Sequence, residues 1–279
     1  MATTTTQTAG TAPSTPPTRA TAATAARTFF AVLWRDVFVT GRELGPFLAQ
    51  VVIQPFFMLF IFGTVLTGIG YVEENFVQIL LPGIVALNGF LGALQNTTMP
   101  LVLDFSWTRE IEDRLLAPMP IPLVALEKMV FGALRGIIAA LLMIPVGFLI
   151  LEGIHWPMSA WPGVLGMVVL GSLAGAAIGM TIGTLVSPRR INVMFAVILV
   201  PLMFTGSTQF PWYGLEHLRW FQVVCALNPL TYVSEGMRSL LIGDTVRSIP
   251  LWIDVPVAIG AIALFGAIGI KGFMRRALD

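Results

Sequence analysis

The 28 residues from Phe76 to Leu103 contain no charged side chain. This run is longer than the roughly 20 apolar residues that a helix needs to cross the hydrocarbon core of a bilayer. Other apolar runs of similar length follow, and only 11% of the chain is charged, whereas a soluble domain carries about 25%. The sequence therefore predicts an all-α polytopic membrane protein.

The distribution of basic residues predicts how the chain is threaded. Twelve of the sixteen Lys and Arg residues fall near the two termini and in the connections after the second and fourth apolar runs. Because basic connections stay in the cytoplasm, both termini are predicted to be cytoplasmic. The six predicted transmembrane helices are Pro46–Ile69, Phe76–Leu103, Leu123–Leu151, Pro162–Val186, Ile191–Thr205 and Val255–Ile270.

The N-terminal region divides into two parts, followed by a single transmembrane domain that is predicted over residues 27–279. Residues 1–26 are mostly Thr, Ala and Pro, so they predict a disordered cytoplasmic tail, without the apolar segment of a cleaved signal peptide. Residues 27–42 alternate apolar and charged side chains at helical spacing, which predicts an interfacial helix. The alternative is that these residues are only the charged segment that leads into the first span. The residues chosen for the interfacial helix are Phe30, Trp34 and Arg35.

The most charged part of the chain is the cytoplasmic segment 104–120, between spans two and three. Apolar residues at four-residue spacing form one stripe, and Glu110 and Arg114 are placed for an i, i+4 ion pair. A short helix with both charge signs suits docking to a soluble partner, because anionic lipid would favour basic residues alone. A solvated loop with interfacial anchors is an equal alternative. The candidate docking residues are Trp107, Glu110, Ile111, Glu112, Arg114 and Leu115.

Span four carries a glycine at every fourth position. Such a ladder lets another helix approach closely, because no side chain separates the two backbones. A contact within the chain is the favoured interpretation, and a contact with a second subunit is the alternative. The helix-packing residues are Gly171, Gly175, Gly179 and Gly183.

Polar residues inside spans two and three are candidates for a transport pathway. A charge at mid-span costs several kcal/mol unless it is paired or hydrated, so Arg135 either reaches the cytoplasmic edge or lines a polar path. Apart from Glu127 and Glu152 at their ends, the predicted spans hold no acid, which argues against a proton-coupled carrier. The pathway candidates are Asn88, Gln95, Asn96 and Arg135.

Residues 206–250 are too apolar for a free outer loop. Prolines divide them into segments shorter than a span, which predicts outer re-entrant half-helices between spans five and six. Backbone breaks at membrane depth are tolerated only where protein or water covers them. The residues that mark the breaks are Pro211, Trp212, Asn228 and Pro229.

Catalytic and metal-binding motifs are missing from the sequence. Neither Lys128 nor Lys271 follows a glycine, so no phosphate-binding loop of the GxxxxGK[ST] form is present. His155 and His217 have no partners at ligand spacing, and the single cysteine, Cys225, excludes an internal disulfide. The chain is therefore predicted not to be an enzyme and to bind no metal or cofactor of its own.

Three stretches carry a family resemblance: "LLPGIVALNGFLG" in span two, "REIEDRLLAPMPIPLVALEKMV" in the charged segment, and "NPLTYVSEGMRSLLIG" before the last span. Together with the six-span pattern they resemble the membrane permeases of ABC-2 type exporters. The most similar branch contains daunorubicin-resistance, nodulation-factor and polysaccharide export permeases. The resemblance covers residues from about 30 to 275.

The resemblance implies that Trp107–Pro118 is a coupling helix seated in a separate cytoplasmic ABC ATPase subunit, which would bind ATP and Mg. It also implies that the interfacial helix is a second contact with that ATPase. Two permease chains, as a homodimer or heterodimer, would form the path in a bacterial cell membrane. The cargo would be an amphipathic drug, a lipid or a glycolipid. The alternatives are a self-sufficient secondary carrier or channel, for which no internal repeat is evident, and a membrane anchor without transport activity.

Overall fold

The computed structural model describes residues 22–42, 44–72, 76–105 and 119–278, and these ranges contain helices and no strand. Two helices continue through segments of π-helix without a break. The helices are α1 Ala22–Arg42; α2 Leu44–Leu59, continued by Phe60–Val65 and Leu66–Gly68; α3 Phe76–Leu103; α4 Ile121–Ile150; α5 Trp161–Leu185; α6, made of Ile191–Met194, Phe195–Leu199 and Val200–Thr205; α7 Arg219–Ala226; α8 Pro229–Ile242; and α9 Leu251–Leu278.

Five stretches of helix in the described ranges are long and apolar enough to cross a membrane, which confirms the polytopic α-helical class. The remaining predicted span, α6, has only 15 residues. At 1.5 Å per residue it is about 22 Å long, shorter than the roughly 30 Å hydrocarbon core. The six-span topology therefore stays a prediction. The five stretches are Phe47–Gly68, Phe76–Leu103, Ile121–Ile150, Met158–Leu185 and Leu251–Leu278.

Helix α3 is the centre of the bundle, with 20 of its 28 residues buried. Its sequence has no charged residue and is apolar at most positions, as expected for a helix that is largely enclosed by others. Helices α4 and α5 pack against it and against each other, and α9 packs on the outside of α5. Helices α2 and α6 border another part of the α3 surface.

Glycines bring the backbones of α3, α4 and α5 into direct contact. A Cβ added at Gly136 of α4 would overlap the carbonyl oxygen of Gly89, and one at Gly175 of α5 would overlap that of Phe90. Lipid offers no hydrophobic driving force for helix association, so close van der Waals packing of this kind stabilises the bundle.

The last helix is longer than predicted. It begins at Leu251 rather than Val255 and ends at Leu278 rather than Ile270. The predicted start, Val255, directly follows the acidic residue Asp254. In the structure this residue lies in the first turn, where an acidic side chain is favoured by the helix dipole.

Candidate functional site

A cleft opens on one side of the bundle, between α2, α3 and α6. Its lining combines apolar side chains with the neutral amides Gln54, Asn88, Gln95 and Asn96. The part beside α6 encloses about 240 Å³. The described residues that line the cleft carry no charge. Those from α6 are Phe195, Ala196, Leu199, Val200 and Met203.

Two of the predicted pathway residues, Gln95 and Asn96, therefore line the same cleft, and both are half-buried. The Asn96 side-chain amide donates a 2.7 Å hydrogen bond to the Gly92 carbonyl of its own helix. The Gln54 side-chain amide lies 3.7 Å from the sulfur of Met203. Carbonyl and amide groups at this surface can donate and accept hydrogen bonds to an uncharged polar group.

Asn88 lies at the edge of this cleft but has a structural contact. Its side-chain NH2 group donates to the Val51 carbonyl of α2 at 3.1 Å and to the Ala139 carbonyl of α4 at 2.9 Å. The residue is 8% exposed. Asn88 thus joins three helices, and its donor group is already used.

Arg135 is not among the described residues that line the cleft. Its guanidinium lies over the ring of Phe47 in α2, 4.8 Å from the centroid, and near the ring of Phe131 at 5.6 Å. Cations over aromatic faces gain about 0.5–2 kcal/mol, the more so where water is excluded. Of the four predicted pathway residues, the structure brings Asn88, Gln95 and Asn96 to the cleft and places Arg135 elsewhere.

Both helices that flank the cleft opposite α3 contain π-helical segments, Phe60–Val65 in α2 and Phe195–Leu199 in α6. Such segments interrupt the regular i to i−4 hydrogen bonding and occur often at functional sites. The sequence analysis did not detect them, because no Pro or Gly at their boundaries separates them from ordinary helix.

Residues 206–250, the region predicted to be on the outer side, are held by a fully buried ion pair. We refer to them as the outer region. Arg238 and Glu235 are both 0% exposed, and Nη1 lies 2.8 Å from Oε1. The Arg238 guanidinium also donates to the carbonyls of Ile79 in α3, at 3.1 Å, and Thr208, at 2.7 Å. A buried charge is tolerated when every group around it is bonded in this way. Sequence reasoning missed this pair, although the i, i+3 spacing was visible.

Asn228 begins α8 and fixes it to the end of α6. Its side-chain oxygen accepts from the Leu230 backbone NH at 3.0 Å, which caps the helix. Its amide donates to the Leu202 carbonyl at 2.7 Å and to the Thr205 hydroxyl at 2.9 Å. Pro229 occupies the first helical position, where its missing NH costs nothing. These contacts explain the chemistry of the "NPLTY" stretch.

Pro211 and Trp212 are at the other break in the outer region. Pro211 is extended and precedes a short 3-10 turn, Trp212–Leu215. The Trp212 backbone NH donates to Glu235 at 3.0 Å, and its indole NH donates to the Gln222 carbonyl at 3.0 Å. Two short helices follow: α7 lies between the two breaks, and α8 begins at the second one. Their depth in the membrane, and with it the re-entrant arrangement, stays a prediction.

Asp254 is a buried acid that the sequence analysis placed outside the last span. Its side chain is 0% exposed, and neither carboxylate oxygen has a hydrogen-bond partner among the described residues. It lies close to α8, where a Cβ added at Gly236 would be 3.3 Å from one of its oxygens. The last helix therefore holds one acid, in its first turn, that the predicted span Val255–Ile270 did not include.

Helix α1 has one bare apolar edge. Phe30 is 67% exposed and Trp34 is 72% exposed, one turn apart, whereas Ala25 and Asp36 on another face are buried. Arg35 pairs with Asp36 at 3.1 Å and remains largely exposed. Exposed aromatic residues beside charged ones fit a helix at the headgroup level, and this placement stays a prediction.

The predicted docking residues of the charged segment lie outside the described residues. They are Trp107, Glu110, Ile111, Glu112, Arg114 and Leu115.

The glycine ladder of α5 faces helices of the same chain. Added Cβ atoms would meet the side chain of Val233 at Gly171 and that of Leu101 at Gly183. Added Cβ atoms at Gly175 and Gly179 would meet backbone carbonyls of α3. These contacts are those of the favoured interpretation, a helix contact within the chain.

No group of three or more potential metal ligands occurs in the described part of the chain. The single cysteine, Cys225 in α7, is fully buried. Burial raises the pKa of its thiol, so it stays protonated and poorly reactive.

Comparison with known proteins gives consistent matches. The sequence profile described as ABC-2 type transporter matches residues 27–242. A Cyanophora paradoxa protein named as a transport permease (ycf38) is 29% identical over 223 residues, which cover 75% of this chain and 72% of that protein. The Porphyra purpurea protein with the same name is 26% identical over 199 residues, 67% of this chain and 65% of that protein. The inner membrane transport permease YadH of Escherichia coli K12 is 27% identical over 186 residues, 63% and 66% of the two chains.

Proposed function

Because the chain belongs to the ABC-2 type transporter family, we propose that it is the membrane-spanning permease subunit of an ATP-binding cassette exporter. A separate cytoplasmic ATPase would bind ATP and Mg and supply the energy. The cargo would be an amphipathic drug, a lipid or a glycolipid that moves outward through a bacterial cell membrane.

The cleft between α2, α3 and α6 is the observation that carries this proposal. It joins apolar walls to the neutral amides Gln54, Gln95 and Asn96, with no charge among its described lining residues. A surface of this kind is suited to a molecule with an apolar body and a polar part. The polar part loses its hydrogen bonds to water when it enters the cleft, and the amides can replace them. Two chains facing each other across this cleft would enclose a path.

The charged segment supplies the link to the ATPase in this proposal. Residues 107–118 connect α3 to α4, so a push on them acts directly on two central helices. The bare aromatic edge of α1, with Phe30 and Trp34, would hold that helix at the cytoplasmic membrane surface beside the ATPase. Both termini would be cytoplasmic, and α6 with the turn after it would make the sixth crossing.

Co-purification tests this function. The chain is purified in detergent from its native host, and the associated proteins are assayed for ATP hydrolysis. We expect an ATPase to accompany the wild type and to be lost from the double variant Glu112→Lys, Arg114→Glu, which reverses two charges at constant net charge. An Arg189→Glu variant changes an exposed charge predicted on the same side and should retain the ATPase. If no ATPase accompanies the wild type, the proposal fails.

A secondary carrier is the second candidate, and one observation favours it. Asp254 is a buried, titratable acid at one end of α9, and proton-coupled carriers use such residues. Transport by the purified chain alone in vesicles, driven by a proton gradient and lost on Asp254→Asn, would establish the carrier. Dependence on ATP and a second protein would exclude it.

A further inference from the structure

Asp104 and Phe105 directly follow α3, and they lie close before residues 107–118, the segment that is proposed to dock the ATPase. Each of them is held by a basic residue from a different helix. Lys128 of α4 contacts Asp104, and Arg276 of α9 contacts Phe105. Neither contact was anticipated from the sequence, because the partners are 24 and 171 positions apart.

The first contact is an ion pair between Lys128 and Asp104. The Lys128 ammonium lies 2.8 Å from Asp104 Oδ2, and both side chains are only 9% exposed. Asp104 precedes the segment and Lys128 lies in the helix that follows it, so the ion pair joins the chain just after α3 to α4. In a site with so little water an ion pair is screened weakly. A force on the segment then moves the ends of α3 and α4 together instead of spreading them.

The second contact connects Phe105 to two further helices, α9 and α5. Arg276 lies over the ring of Phe105, 4.7 Å from its centroid, and that ring packs edge-on against the buried Phe273 at 5.3 Å. The same guanidinium donates through Nη1 to the last carbonyls of α5, those of Gly183 at 3.1 Å, Thr184 at 3.4 Å and Val186 at 3.2 Å.

The hydrogen bonds from Arg276 to the end of α5 have an ordinary structural role. The last carbonyls of a helix lack intrahelical partners, and an arginine near a helix end commonly satisfies them. A cap of this kind does not require contact with Phe105. The single guanidinium that both caps α5 and covers Phe105 ties the end of α5 to the start of the segment.

We propose that Asp104 and Phe105 form a joint through which movement of residues 107–118 reaches α5 and α9, and that Arg276 is the positioning residue of this joint. The proposal rests on the proposed function, since it assumes that the segment is where the ATPase acts. It adds the route inside this chain: through Lys128 to α4, and through Arg276 to α5 and α9.

The chemistry of Arg276 makes the proposal specific. A planar guanidinium can stack on a ring and donate in its own plane to several carbonyls, whereas a lysine ammonium is a point charge that cannot do both. We therefore expect Arg276→Lys to preserve the cap of α5 and to weaken the link to Phe105. Arg276→Gln removes both.

Amide hydrogen exchange in the last turn of α5, residues 182–186, tests the joint. In the purified chain we expect Phe105→Leu to speed exchange there by about fivefold or more, the lower end of typical coupling between sites. In the Arg276→Gln background the same change at Phe105 should have no further effect. Arg275→Gln, an exposed neighbour on α9, is the matched control and should leave the response intact. An unchanged rate in Phe105→Leu would overturn the proposal.

The complex provides the second measurement. Binding of the co-purified ATPase should alter exchange at residues 182–186 in the wild type and in Arg275→Gln, with a reduced response in Arg276→Lys and none in Arg276→Gln. An equal response in all four chains would overturn the role of Arg276. If no ATPase binds the wild type, the proposed function fails, and the Phe105 experiment on the isolated chain still decides whether the joint exists.

Discussion

Helix α3 has two unlike sides. Toward α4 and α5 its backbone is in contact with glycines such as Gly136 and Gly175, and the interface is closed. Toward α2 and α6 it carries Gln95 and borders an open cleft. We call these the packed side and the open side. Closely packed interfaces are bistable or rigid rather than continuously deformable. The difference indicates that α3, α4 and α5 form a closely packed frame, and that α2 and α6 pack less closely against it.

Removing one member of the buried ion pair that fixes the outer region to α3 should have the largest effect. Glu235→Ala leaves Arg238 charged and 0% exposed, and breaking a buried pair in this way costs about 3–5 kcal/mol. The measurement is the unfolding midpoint of the purified chain in detergent. Glu216→Ala is the control, because its pair with Arg247 is exposed and 3.5 Å long. An equal, small loss in both variants would show that the outer region does not depend on this pair.

The packed side itself is tested by two glycines of α5 that differ in one respect. A Cβ at Gly175 would overlap the Phe90 carbonyl, whereas Gly166 has nothing within 4 Å. Gly175→Ala forces the α3 and α5 backbones apart, which costs about 1–3 kcal/mol. Gly166→Ala should stabilise by up to about 1 kcal/mol, because alanine favours helix. Opposite signs in the unfolding midpoint are expected. The same sign would mean that the α3–α5 contact is looser than the structure shows.

Which residues fall on which side could be predicted only in part. Asn88 and Gln95 are seven positions apart, so they lie on nearly the same face of α3. Asn88 binds the backbones of α2 and α4, and Gln95 lines the cleft, because the neighbouring helices approach α3 closely at one level and diverge at the other. The sequence of α3 does not show how far the neighbouring helices lie from each of these two residues.

Local signals were read more successfully than long-range ones. The glycine spacing in α5 and the breaks at Pro211 and Asn228 follow from backbone chemistry, and the structure has a contact surface and helix boundaries at those places. The partner of Arg276 could not be read, since it depends on how α9 meets α5. Asp254 lies just outside the predicted span, whereas in the structure it occupies a buried position in the first turn of α9. Its burial depends on the packing of α9 against α8, which the sequence of α9 does not show.

Asn88 connects the two sides, so its loss should have an intermediate effect. Asn88→Ala removes two interhelical hydrogen bonds, to α2 and to α4. Hydrogen bonds between membrane helices average about 0.6 kcal/mol, so the expected loss is about 1 kcal/mol. Asn96→Ala is the control, because Asn96 bonds only to its own helix and should lose less. Amide exchange in α2 should also rise in Asn88→Ala alone. No difference between the variants would mean that Asn88 does not hold α2 to the frame.

The smallest change in stability, within about 0.5 kcal/mol, is expected on the open side, where cysteine labelling reports on water. Gln95→Cys and Gln54→Cys place a thiol in the cleft, and Val193→Cys places one on the 67% exposed outer surface of α6. The native Cys225 thiol is buried, and its raised pKa keeps it protonated, so it labels slowly. Thiol reagents attack the thiolate, which needs water to form. A water-soluble reagent should therefore label both cleft positions faster than Val193→Cys.

If Val193→Cys labels as fast as the cleft positions, α6 faces water on both sides and the cleft is not a distinct path. If all three label as slowly as the native chain, lipid fills the cleft, and the open side is a site of helix association instead of transport.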